Sequence, residues 1–248
     1  MTRFWRGVER IFVLSFRQMA WSRRTLFVAM IVGVPVMLAL AARVGAVSAT
    51  VRINGADVSG AGIFDTIVWL LFLRFAVPVL GVWYGTSLIA DEVEEKTITY
   101  LFVRPIRRGA VLIGKYLAYL ACTAVVVLPA VTVVYLSVVS QRPEGFSILD
   151  DLGILALGLA AYGALSALMG AALRRPLVIG LVFAFGWEQL ALVIPGYMRR
   201  FTLAYHLEAV FRETPSATSS LIVLMAITAA CLLLATRAVE RREYIPDQ

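Results

Sequence analysis

Six runs of this chain are long and apolar enough to cross a lipid bilayer, and this limits its fold more than any other feature. A helix needs about 20 predominantly apolar residues to traverse the hydrocarbon core. Such blocks recur at 25–42, 63–90, 110–136, 152–173, 177–194 and 220–236. The composition agrees, with 60% hydrophobic and only 16% charged residues over 248 positions and a mean hydropathy of +0.84. A soluble fold of this size would have to enclose several wholly apolar helices at once, so that alternative is set aside. The expected class is all-α, a polytopic membrane protein with six transmembrane helices.

The ends of these blocks carry most of the charge. The formal charge of +7 is therefore not a nucleic-acid footprint, and no nucleic-acid partner is expected. Cys122 and Cys231 both fall inside apolar segments and read as small packing residues rather than a disulfide or metal pair. Residues 1–24 are too long and too charged for the first part of a signal peptide, so the first span is expected to stay in the protein. Within 2–20, Arg3, Arg6, Arg10 and Arg17 fall in one narrow sector at helical spacing, and Phe4, Val8, Ile11, Phe12 and Met19 in another. That pattern predicts an amphipathic helix in the membrane interface, with cations near acidic lipid headgroups, or packed on the protein's own spans, or both.

Ionisable groups inside the spans are the next signal, because each is expensive in hydrocarbon. Arg74 lies deep in the second block and Glu188 in the outer part of the fifth, directly after Trp187. Arg74 should face the bundle interior, a wet cavity or an acidic partner. Glu188 is a candidate partner for Arg74 or Arg199, and a locking ion pair and a transport role both remain open. Lys115, near a span end, can snorkel. Gly153, Gly158, Gly163 and Gly170 permit close packing of the fourth span, and Asn54-Gly55 is a turn signal between the first two. Segment 195–219 is too polar to span yet rich in aromatic residues, which suggests interfacial or re-entrant helix. His206 has no His, Cys or paired carboxylate at ligand spacing and is not read as a metal ligand.

Charge bias sets the expected orientation. With the N-terminus inside, sixteen Lys and Arg residues fall on inner segments and six on outer ones. Both termini and the segment 91–108 are then cytoplasmic. That segment is the densest charge run in the chain: Asp91, Glu92, Glu94, Glu95 and Lys96, then Thr97, Ile98, Tyr100, Leu101 and Phe102, then Arg104, Pro105, Ile106, Arg107 and Arg108. Carboxylates favour a helix start, an apolar patch follows, and Pro105 limits the helix near Arg104. The apolar residues suggest burial against a partner or against the chain's own helix ends.

No catalytic site is legible. Gly109 to Tyr116 approaches a phosphate-binding loop, but Tyr116 stands where the magnesium-binding Ser or Thr belongs and no strand precedes it, so ATP is not expected to bind there. No HExxH, Cys-rich cluster or nucleophile–base arrangement occurs. Six spans without a nucleotide site fit an ion-coupled carrier, a channel subunit, or the membrane half of an ATP-driven machine.

Asp91 to Leu101, followed by Arg104-Pro105-Ile106 and Gly114-Lys115-Tyr116, resembles the signature of ABC-2 type transporter permeases. Trp187-Glu188 before Pro195, then Arg200-Phe201-Thr202 and Tyr205-His206-Leu207, resembles that family's outer segment. The resemblance implies an interfacial helix at 1–24, a six-helix ABC-2 domain at 25–236 with outer segment 195–219, and a cytoplasmic tail at 237–248. It also implies a coupling helix within 91–102 gripped by separate ABC-type ATPase subunits that carry ATP and Mg. No cofactor or metal is expected in this chain. A second permease copy or homologue, membrane lipids and an unidentified transported substrate complete the implied partners, in a prokaryotic cytoplasmic membrane. The implied site residues are Asp91, Glu92, Glu94, Glu95, Lys96, Thr97, Tyr100, Leu101, Phe102, Arg104 and Pro105 for coupling, and Arg200, Tyr205 and His206 in the outer segment. A non-transporting scaffold or sensor for such an ATPase, or an ion-coupled carrier using Arg74 or Glu188, are the alternatives.

Overall fold

The computed structural model describes residues 2–21, 23–48, 52–53, 56–57, 60–94, 108–139, 147–173, 175–194 and 197–241. Six helical stretches are long and apolar enough to cross a membrane: Thr25–Val44, Gly62–Leu88, Gly109–Val138, Ile148–Ala172, Pro176–Val193 and Ala217–Arg241. Each lies on one of the six apolar blocks, and a further helix, α1 (Thr2–Ala20), precedes the first. The first span belongs to α2 (Arg23–Ser48). Two short strands follow, β1 (Arg52–Ile53) and β2 (Ala56–Asp57), paired antiparallel with Arg52 opposite Asp57. Their pairing turns the chain back on itself between Ile53 and Ala56, and the Asn54-Gly55 turn signal itself lies outside the described residues.

The second span is one continuous helix of three pieces: α3 (Gly60–Ile67), a π-helical segment (Val68–Ala76) and α4 (Val77–Glu94). Pro78 explains the wide turn. Proline has no N–H to donate and its ring collides with the carbonyl four residues back, here that of Arg74. The helix widens just before it, and Val77 N–H reaches Phe72 O, five residues back. Span three is α5 (Arg108–Val138) and span four α6 (Ile148–Ala172), whose first turn carries Asp150 and Asp151 at the favourable positive end of the helix. Span five joins α7 (Pro176–Leu181), a second π segment (Val182–Trp187) and α8 (Glu188–Val193). A 3-10 turn (Tyr197–Phe201) and α9 (Leu203–Phe211) lead to span six, α10 (Ala217–Arg241). The last helix thus runs past position 236 and includes Arg237 and Arg241.

The core forms around α4 and α6, which lie against each other along most of their length. A Cβ at Gly81 would meet Tyr162 Cβ at 2.5 Å, and one at Gly85 would meet Ser166 Cβ at 2.6 Å. Without a water-driven hydrophobic effect between lipid-bathed helices, such small-residue contacts are what bring backbones close enough for dispersion and polar contacts to hold them. Span six covers α6 from the other side, and α5 carries both α1 and α2.

Helix α1 is seated on α5 at Gly114, where a Cβ would stand 2.9 Å from Val8 O and 2.9 Å from Ile11 Cβ. Val8 and Ser15 are buried, whereas Val13, Leu14 and Trp21 remain exposed. The glycine of the apparent phosphate loop is therefore a packing position. Gly114→Val should push α1 away from α5, cost about 1–3 kcal/mol, and speed proteolytic cleavage within 2–21; unchanged protection would place the seat elsewhere.

Candidate functional site

Two polar residues in span five follow directly on its π segment. Glu188 N–H reaches Phe183 O, five residues back, and the wide turn sets the Glu188 and Gln189 side chains against neighbouring elements. Arg74 lies in the other π segment, that of span two, so both intramembrane charges sit at places where the helix departs from α geometry. Such segments recur at functional positions because they re-aim side chains without breaking the helix.

Arg74 and Glu188 come into the same region but do not form a direct ion pair. Arg74 Nη2 donates to Gln189 Oε1 at 2.8 Å, and its guanidinium lies 5.9 Å from the centre of the Trp69 ring. Its Nε is buried without a hydrogen-bond partner among the described residues. Glu188 is 1% exposed, and its carboxylate is fully committed. One oxygen accepts from the Tyr162 hydroxyl, and the other accepts from Leu203 N–H at 2.9 Å. Leu203 is the first residue of α9, so the carboxylate sits at the positive end of that helix, where an anion is favoured. One side chain therefore joins span five, span four and α9. Arg199, the other candidate partner, instead lies over the Tyr205 ring at 5.8 Å.

The outer-segment residues are arranged around the same helix. Thr202 caps α9, accepting from Tyr205 N–H at 3.3 Å and donating to Arg199 O at 2.7 Å. Tyr205 stands edge-on to His206, with ring centres 5.3 Å apart. His206 is buried and bridges two elements: Nε2 is 2.9 Å from Arg200 O and Nδ1 is 3.1 Å from Ser220 Oγ. Arg200 is exposed, its guanidinium 5.3 Å from the Tyr197 ring. Among the described residues no three His, Cys, Asp or Glu side chains are grouped to hold a metal ion. Lys115 donates to Leu88 O at 3.0 Å, linking span three to the end of span two.

Tyr162, Gln189, Trp69 and Ser220 belong to this network and were not singled out by sequence, whereas Thr202 appeared there only as part of the Arg200-Phe201-Thr202 motif. Gln189 carried a visible signal, a second polar residue directly beside Glu188 in an apolar span. Tyr162 carried none, since a tyrosine among alanines and glycines does not reveal which way its hydroxyl points. Of the expected coupling residues, Asp91, Glu92 and Glu94 are on the last turns of α4, where the backbone alone is described. Glu95, Lys96, Thr97, Tyr100, Leu101, Phe102, Arg104 and Pro105 lie outside the described residues.

Residues 16–232 match the sequence profile of the family described as ABC-2 family transporter protein. No individually curated protein matches the chain.

Proposed function

This chain belongs to the ABC-2 family of transporter proteins, and on that premise we propose that it couples ATP hydrolysis by a separate ATPase to export or flipping of a substrate. It is a multi-pass membrane permease with six spans. The proposed orientation has both termini in the cytoplasm, following the excess of Lys and Arg on the segments that would face inward. Residues 1–24 serve as the interfacial helix, 25–236 as the permease domain and 237–248 as the tail.

The observation that carries the coupling proposal is the family match, which includes the charged segment between spans two and three. The mechanics of α4 support it. Asp91, Glu92 and Glu94 extend the same helix, α4, that touches α6 through glycine contacts. A displacement applied at Asp91, Glu92 and Glu94 would be carried along α4 into the centre of the bundle. The ATPase would bind the apolar stretch through Tyr100, Leu101 and Phe102, and the flanking charges would set its register. Glu188 holds spans four and five and α9 together as one body. Arg74 retains hydrogen-bonding capacity beside it and is the intramembrane group assigned to the moving substrate path.

Reversing Glu94, Glu95 and Arg104 together should leave membrane insertion intact while reducing permease-stimulated ATP hydrolysis roughly tenfold. The assay is ATPase activity of the co-purified complex in proteoliposomes. Equal hydrolysis and equal recovery of the ATPase with the reversed variant would remove these residues from the coupling surface.

A further inference from the structure

The bundle end at which spans two, four and six begin contains a cavity of about 1150 Å³. It lies between the end of α3 with the first turn of the π segment after it, the start of α6, the end of α9 and the first turns of α10. Its walls include Trp69, Leu157, Phe211 and Met225, and its polar lining is led by Asp65, Asp150, Asp151 and Glu213. We propose that this cavity binds a free amphipathic organic cation, an ammonium head carrying a hydrocarbon chain.

The carboxylates of the lining fix the head. Asp151 feels the negative charges of Asp65, Asp150 and Glu213, and none of the four has a salt bridge within 4 Å to a described residue. Arg212, the one cation among the described lining residues, is already engaged: its Nε donates to Glu208 at 3.0 Å, its charge also acts on Asp65, and its guanidinium lies 5.6 Å from the Trp69 ring centre. With Glu208 included, five carboxylates face one guanidinium, so four remain in excess, partly offset by the positive ends of α6 and α10 that begin at the cavity. An anionic head would be repelled, a zwitterionic head would gain little because its own anion offsets its ammonium, and a free single positive charge is attracted most.

The walls fix the tail. Trp69 and Phe211 stack at 5.9 Å with 17° between their planes, forming one flat apolar face. The volume exceeds the ~300–1,000 Å³ of ordinary small-molecule sites, far more than an inorganic cation needs. The described carboxylates are not grouped to hold a metal ion. Trp69 also already faces two cations, Arg74 and Arg212, so the head would be drawn to the carboxylates while the hydrocarbon lies along the ring wall.

Glu213 adds a separate indication. It has φ 48°, the one non-glycine residue with positive φ among those described. Thr214 N–H bonds Ala209 O and Glu213 N–H bonds Val210 O, the pair of bonds that closes a helix through a left-handed residue, a position glycine fills without steric cost. A glutamate here gives up backbone comfort and contributes a carboxylate to the cavity.

The test uses the full chain in nanodiscs and an alkyl diazirine probe with a trimethylammonium head, with labelled peptides mapped by mass spectrometry. Label should concentrate in 149–157 and 221–225 and be competed by dodecyltrimethylammonium but not by dodecylphosphocholine. Asp65→Asn with Asp151→Asn should reduce it about tenfold. Glu213→Gly should also reduce it without lowering the unfolding temperature, which separates lost binding from lost folding. Equal labelling by the same chain carrying a phosphocholine head would mean ordinary lipid contact and overturn the proposal, as would labelling indifferent to all three substitutions. No ATPase takes part, so the outcome is independent of the coupling proposal.

Discussion

Replacing Glu188 by alanine should destabilise the bundle by about 2–4 kcal/mol, since each buried polar group left without a partner costs about 1–3 kcal/mol. Two donors lose their acceptor together, the Tyr162 hydroxyl and Leu203 N–H. Neither Tyr162 nor Leu203 is open to solvent, with relative exposures of 1% and 4%, so water cannot take the carboxylate's place. Glu188→Gln should be far milder, about 1 kcal/mol. Its amide oxygen still accepts from Leu203, and its NH2 group donates to the Tyr162 oxygen in a reversed bond. Tyr162→Phe should then be nearly silent when added to Glu188→Ala, because the hydroxyl it removes has already lost its partner. Thermal unfolding of the detergent-solubilised protein, followed by loss of the monodisperse species, reads all four forms. Equal losses for the alanine and glutamine variants would mean that charge, not hydrogen bonding, carries the junction.

That expectation also marks how far the sequence reaches. Hydropathy places all six spans to within a few residues, because crossing hydrocarbon needs a length and a polarity that any linear scan can read. It likewise singles out Arg74 and Glu188, since charge in an apolar block is rare and expensive. It does not pair them. The guanidinium turns to Gln189, and the carboxylate to Tyr162 and Leu203, through two π segments whose positions depend on Pro78 in one case and have no comparable proline in the other. A helical wheel drawn at 3.6 residues per turn carries the wrong phase past each π segment. The acidic cavity was hidden for a different reason: Asp65, Asp150, Asp151 and Glu213 lie on three segments far apart in the chain and meet only after folding.

The four glycines of span four look equivalent in sequence, and the fold separates them. A Cβ at Gly170 would stand 2.5 Å from Thr86 O and 3.2 Å from Thr86 Cα, whereas one at Gly153 has nothing within 4 Å. The obstacle at Gly170 is backbone, which cannot rotate away as a side chain can, so α4 and α6 must move apart along the contact that also includes Gly81 and Gly85. Gly170→Ala should therefore cost about 1–3 kcal/mol, and Gly170→Leu should abolish recovery of folded protein. Gly153→Ala should be neutral or stabilising by up to about 1 kcal/mol, through the backbone freedom it removes from the unfolded chain. Both positions lie in one helix, so local helix propensity favours alanine equally at each and the difference isolates interhelical packing. Recovery and unfolding temperature of the two alanine variants decide the matter. Similar values would mean that α4 and α6 can slide past one another, and a push at the end of α4 would then dissipate before reaching Arg74.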